Sequence, residues 1–228
     1  MNNPRYNSFL LIHKGLRTLL YETSTQLQQG DLSDPQCDVI DQIEKVLFLF
    51  EGHAHGEDKF YNGPLMDKDA RISSMFMKEH EEDHRLGEVL TDLVDQWRNA
   101  SDNNARAFTG RNLLYAFYEF IAFNLYHMNK EELELNQVLW SYYTDEEIKA
   151  TEHTMVQQIA PEKMIQYAKW IIRGNNDEDL YQWLKGVQMF APVEVFKSLF
   201  AIAQTELNTE RVQALGSRLG VDSVSELV

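Results

Sequence analysis

The chain has a single cysteine, Cys37. Within one copy this rules out a disulfide, a zinc–thiolate cluster and an iron–sulfur site, so any bound metal must be held by His, Asp or Glu. Proline and glycine are sparse, 5 and 11 in 228 residues. They fall mainly in short connections, and no convincing alternation of apolar and polar residues marks a strand. No run of eighteen apolar residues is present and the mean hydropathy is -0.44, which argues against a transmembrane span. The apolar stretch Leu10 to Ile12, behind Arg5, is too short for the core of a signal peptide. Positive charge is scarce as well: 21 Lys and Arg face 36 Asp and Glu, a net charge of -15. That balance opposes binding to nucleic-acid phosphates or anionic membranes. The expectation is a soluble cytoplasmic protein.

What is present is enough to build a core, with 43% hydrophobic and 11% aromatic residues. The pattern is all-α and divides in two. Residues 1–143 carry four long amphipathic helices, roughly 5–29, 35–61, 67–98 and 105–143, which predict an up-and-down four-helix bundle. Asp34-Pro35 reads as the N-cap and first residue of the second helix, and Asn62-Gly63-Pro64 as its end. Residues 144–228 read as a C-terminal helical extension packing on the bundle. It opens with a capping box at Thr144 and is broken at Pro161, Gly174-Asn175 and Pro192. Trp170, Trp183, Phe190, Phe196 and Phe200 are its packing residues. No internal repeat, low-complexity segment or nucleotide-binding glycine loop stands out.

The histidines fall where the helical period demands apolar residues. The second helix has the inward series Val39, Ile43, Val46, Phe50, His53, Glu57, Phe60. The first has Phe9, His13, Leu16, Leu20, and the third Ile72, Phe76, His80, His84, Gly87, Leu90, Val94. The fourth has Phe117, Phe120, Asn124, His127, Glu131, Leu135, Val138. A carboxylate without a partner in a bundle core costs several kcal/mol, so a positive charge is expected there. Every one of the four helices contributes a candidate, and the set converges on one centre. His55 and His153 miss these faces and are assigned no role. Glu81, Glu82 and Asp83 also lie off the ligand face, with only a supporting contact to a metal-bound imidazole open to them.

These residues resemble the hemerythrin, or HHE cation-binding, family. Its signature is a first-helix His, then HxxxE, HxxxH, and a fourth-helix His followed by an acid. Here these are His13, the segment HAHGE with His53 and Glu57, the segment HEEDH with His80 and His84, and HMNKEE with His127. The resemblance covers residues 5 to about 143. Oxygen-carrying members place the last acid five residues after the His, which selects Glu132, whereas many HHE proteins place it four after, which selects Glu131. Helical geometry favours Glu131, because a step of five turns the side chain about 140° away.

The resemblance implies two non-haem iron ions, oxo- or hydroxo-bridged, with zinc or manganese able to substitute. Five imidazoles and two bridging carboxylates would leave one coordination position for dioxygen or another small ligand. The expected function is therefore binding of dioxygen or a related molecule, or sensing of iron or oxygen. The alternative is a redox enzyme acting on peroxide or nitric oxide, or a protein of iron–sulfur cluster repair. The repair relatives carry a cysteine in an N-terminal segment, and Cys37 lies elsewhere. The acidic exterior or the region after Thr144 could also engage a protein partner. Tyr115, Tyr118 and Tyr126 are read as core or surface residues without a redox role.

Overall fold

The computed structural model describes residues 5–221, and every regular element among them is helical. The elements are α1 (Leu10–Gln29), α2 (Val39–Glu57), a π turn (Asp58–Asn62) continuing into α3 (Gly63–Leu65), α4 (Ala70–Arg98) and α5 (Asn103–Lys130). A second π turn (Glu131–Leu135) continues α5 into α6 (Asn136–Tyr142). Then come α7 (Asp145–Val156), α8 (Pro161–Gly174), α9 (Asp177–Phe190), α10 (Val193–Glu206) and α11 (Thr209–Leu219). This is an all-α, hemerythrin-like helical bundle with further helices after it. None of the described helices is long and apolar enough to cross a membrane.

The chain forms two compact units: 1–9 with 19–158, and 10–18 with 159–228. This division does not fall at 143/144, and hydrogen bonds within the first unit explain why. The Arg5 guanidinium donates to Asp145 and to the carbonyls of Trp140 and Tyr143, tying the start of α7 to the N-terminal segment.

In the first unit α4 packs along α5, and Phe50 of α2 meets Phe120 of α5 edge-on at 5.3 Å. The core between them holds Ile43, Val46, Phe76, Leu90, Leu113 and Phe117, all buried. At Gly110 a Cβ would stand 2.5 Å from that of Leu32, so only glycine lets the 30–38 connection lie there. Trp97 closes the same end by donating to the Leu32 carbonyl at 2.8 Å. In the second unit the opening turns of α1 cross α8 at close range. A Cβ at Gly174 would come within 2.5 Å of the Lys14 carbonyl, and one at Gly15 within 2.8 Å of the Ile171 nitrogen.

Two boundaries differ from the sequence expectation. The second helix starts at Val39 rather than at residue 35, because the Asp34 carboxylate accepts from the Gln36 amide in a local turn instead of capping a helix. The first helix starts at Leu10, because residues 5–9 are held outside it by Asp145 and by the Asn7 side chain, which accepts from the Phe9 amide. The capping box at Thr144 forms as expected.

Candidate metal centre

Four side chains of α2, α4 and α5 with its π turn meet in the interior of the first unit. Glu57 and Glu131 are 1% and 0% exposed, His80 and His127 6% and 4%. The Nε2 atom of His80 lies 3.5 Å from a Glu57 oxygen and 3.6 Å from a Glu131 oxygen, and that of His127 lies 3.2 Å from Glu131. On the other side of Glu57, His53 Nε2 stands at 3.2 Å. The His80 and His127 rings are 4.8 Å apart and nearly perpendicular, with Phe123 stacked on His127 at 5.8 Å.

These distances suit a cation. Nitrogen and oxygen ligands at about 2.1 Å from one ion, set at right angles, are about 3 Å apart. The atoms of Glu57, His80, His127 and Glu131 all lie within 4.8 Å of one another, and so do those of His53, Glu57 and Glu131. No hydrogen bond reaches His80 Nε2, a buried nitrogen aimed between two carboxylates. The residues present therefore fit a metal, and the two sets share both acids.

The remaining ring nitrogens are held from outside. His80 Nδ1 is 2.7 Å from Asp58 Oδ1, which also accepts from the Asn62 amide at 3.0 Å. His127 Nδ1 is 2.9 Å from Glu79, and Lys130 pairs with the other oxygen of Glu79. Hydrogen bonds of this kind fix the ring and leave Nε2 as the ligating atom. Asp83 sits beside them, buried, accepting from the Asn124 amide at 2.6 Å. Burial raises the Asp83 carboxyl above its ordinary range, with the Asn124 hydrogen bond opposing it.

Electrostatics point the same way. Burial disfavours an imidazolium, yet the hydrogen bond with Asp58 and the carboxylates of Glu131 and Glu57 beside Nε2 outweigh it and push His80 up to about 12. For His127 the charge of Glu131 and hydrogen bonds to Glu131 and Glu79 overcome burial and push it up to about 9. Without a metal the imidazolium protons supply the positive charge that the carboxylates require, so a metal entering the site displaces them.

Of the eight residues singled out in the sequence, five meet here within the first unit: His53, Glu57, His80, His127 and Glu131. His13 is fully buried on the first half of α1, within the second unit. Glu132 is half-buried and belongs to neither ligand set.

His84 is a correction: its side chain is 64% exposed and lies 3.5 Å from Glu88 on the surface. The reason is angular. A step of four overshoots a full helical turn by about 40°, so three in succession from Ile72 carry residue 84 about 120° off the starting face. The buried face instead steps by three from His80 to Asp83, then continues to Leu90, Val94 and Trp97. Asp83, expected off that face, is on it. His55 and His153 are exposed, the latter 2.9 Å from the Gln157 amide.

The sequence also contains a repeat that periodicity alone did not reveal. His53, Glu57, Asp58 and Asn62 follow the pattern H-x3-E-[DE]-x3-N, as do His127, Glu131, Glu132 and Asn136. Each copy ends an α-helix in a π turn, and both asparagines are fully buried. π turns recur at functional sites because the extra residue redirects side chains. The repeat is the signal that would have found Asp58, and acids one turn before or beside a buried His would have found Glu79.

Fold and site together define a helical bundle with a buried histidine–carboxylate centre for cations. The family description Hemerythrin HHE cation binding domain matches residues 6–139, more than half of the chain. The chain belongs to that family. No curated protein and no solved structure gives a significant match.

Proposed function

We propose that the chain is a non-haem di-iron protein that binds dioxygen or another small ligand such as nitric oxide or peroxide. The observation that carries this reading is the pair of ligand sets sharing Glu57 and Glu131, which suits two adjacent ions bridged by both carboxylates. His80 and His127 would hold one ion and His53 the other. Imidazole-rich sites suit iron, zinc, copper or nickel better than magnesium or calcium, and iron is the family's usual metal. A surface with net charge -15 points to a small-molecule ligand and away from nucleic acid.

The exposure of His84 sharpens the reading. With one imidazole fewer than the five expected, a bound metal would keep a further coordination position for a small ligand. Metal content per chain, with the absorption spectrum taken anaerobically and then in air, tests the centre. About two irons per chain and a reversible new absorption in air support binding. The same iron with rapid loss of added peroxide supports turnover. One metal or none after reconstitution overturns the di-iron reading.

A further inference from the structure

Beyond the metal centre, Tyr61, Ser8, Glu152 and Tyr6 form a hydrogen-bonded cluster, the first two buried and the other two half-buried. Tyr61 is 3% exposed and lies in the first π turn, four residues after Glu57. Residues four apart lie on one side of a helix, which places Tyr61 on the side that carries Glu57. The negative charge of Glu57 is felt at the phenol. The hydroxyl hydrogen-bonds Ser8 Oγ. Ser8, also buried, donates in turn to Glu152 of α7 at 2.9 Å. Tyr6 donates to the same carboxylate oxygen at 2.6 Å. All four groups lie within the first unit.

We infer that Tyr61 is a redox-active tyrosine serving the metal centre, with Ser8 and Glu152 as the path that takes up its proton. A buried phenol cannot be oxidised while keeping its proton, since the cation radical would be an uncompensated charge in the core. The hydrogen-bond polarity supplies the way out. Tyr61 gives up one electron, which a bound metal oxidised by peroxide would take. The Tyr61 O–H bond breaks as a bond forms from its proton to Ser8 Oγ. The proton already on Ser8 passes to Glu152, which becomes a neutral carboxylic acid.

Burial raises both the Tyr61 phenol and the Glu152 carboxyl above their ordinary values. The first keeps the phenol protonated until it is oxidised. The second makes the ionised Glu152 a stronger acceptor. The groups facing Glu152 are Tyr6, Ser8 and, from its own helix, Lys149. The other tyrosines near the fourth-helix ligand have no such route: Tyr115, Tyr118 and Tyr126 are 59%, 36% and 69% exposed.

This inference rests on the di-iron reading above, and the test separates the two. Iron-loaded full-length protein is mixed with hydrogen peroxide, frozen, and examined by electron paramagnetic resonance. A narrow phenoxyl signal that Tyr61→Phe abolishes and Tyr6→Phe preserves, at unchanged iron content, is the expected result. Glu152→Gln should cut the yield at least about tenfold. An oxidised iron centre without a Tyr61-dependent signal overturns the inference while leaving the di-iron reading intact. If no iron binds, the di-iron reading fails. Photo-oxidation of the metal-free protein by a ruthenium tris-bipyridyl complex with persulfate then decides the Tyr61 path. Dependence of the phenoxyl yield on Glu152 supports it, and equal yields in wild type and Glu152→Gln overturn it.

Discussion

The α2 and α5 limbs of the centre carry the same H-x3-E-[DE]-x3-N pattern and the same π turn, yet the acid after each ligand is used differently. Asp58 reaches across to His80 on α4, and Asn62 holds it there. In the second copy the imidazole His127 is supported instead by Glu79 from α4, and the Asn136 amide donates to the Glu132 backbone carbonyl at 3.3 Å. The ligands are repeated, whereas their support is not. The lesson is that the two limbs share the groups aimed at the centre and differ in the groups that hold them.

The largest effect should come from breaking what the limbs share. Glu131→Ala removes an oxygen donor from both ligand sets, so metal content should fall from about two ions per chain to less than one, measured by elemental analysis. Glu57→Ala should match it, and a variant retaining both ions would show that the acids do not bridge. The supporting acids test the difference between the limbs. Asp58→Asn and Glu79→Gln should each weaken metal binding about 10- to 100-fold, the range for groups that orient a ligating His. Spectra of the cobalt-substituted protein should show both changes at one ion, the one that His80 and His127 would hold.

Acidity provides a smaller test on the metal-free protein. His80 and His127 are both raised on folding, to about 12 and about 9. The folded state therefore holds these protons more tightly than the unfolded chain. Their contribution is complete below the ordinary His value of about 6.5 and is lost as pH rises through the folded values. Urea midpoints of the metal-free protein should fall between about pH 6 and about pH 10, with His127→Gln flattening the lower part of that decline. The smallest effect belongs to His84→Ala. Metal content should not change and stability should move by no more than about 0.5 kcal/mol in a urea melt, as for an exposed residue.

Much of this was readable from residue spacing. Helical periodicity gave the all-α class, the inward positions of His53, Glu57, His80, His127 and Glu131, and the choice of Glu131 over Glu132 for the inner face. The errors have two origins. On α4, three successive steps of four outran the 3.6-residue period and carried the series to His84 in place of Asp83. Beyond each ligand acid the π turn added a residue, so Tyr61 is more buried than the expected Phe60, and Leu139 more than Val138. A π turn has no composition of its own. Only the two copies of one spacing, set side by side, betray it.

The π turns have a consequence for comparing this chain with its relatives. Each one is, in effect, a single residue inserted into a helix, and it turns everything beyond it by about 100° relative to an unbroken α-helix. An ungapped comparison with a relative lacking the bulge would match the ligands and then pair the wrong residues from Asp58 or Glu132 onward. Opening a gap of one position at those two places restores the faces. Such a gap inside a helix, ordinarily a mark of misalignment, is here the trace of the centre itself.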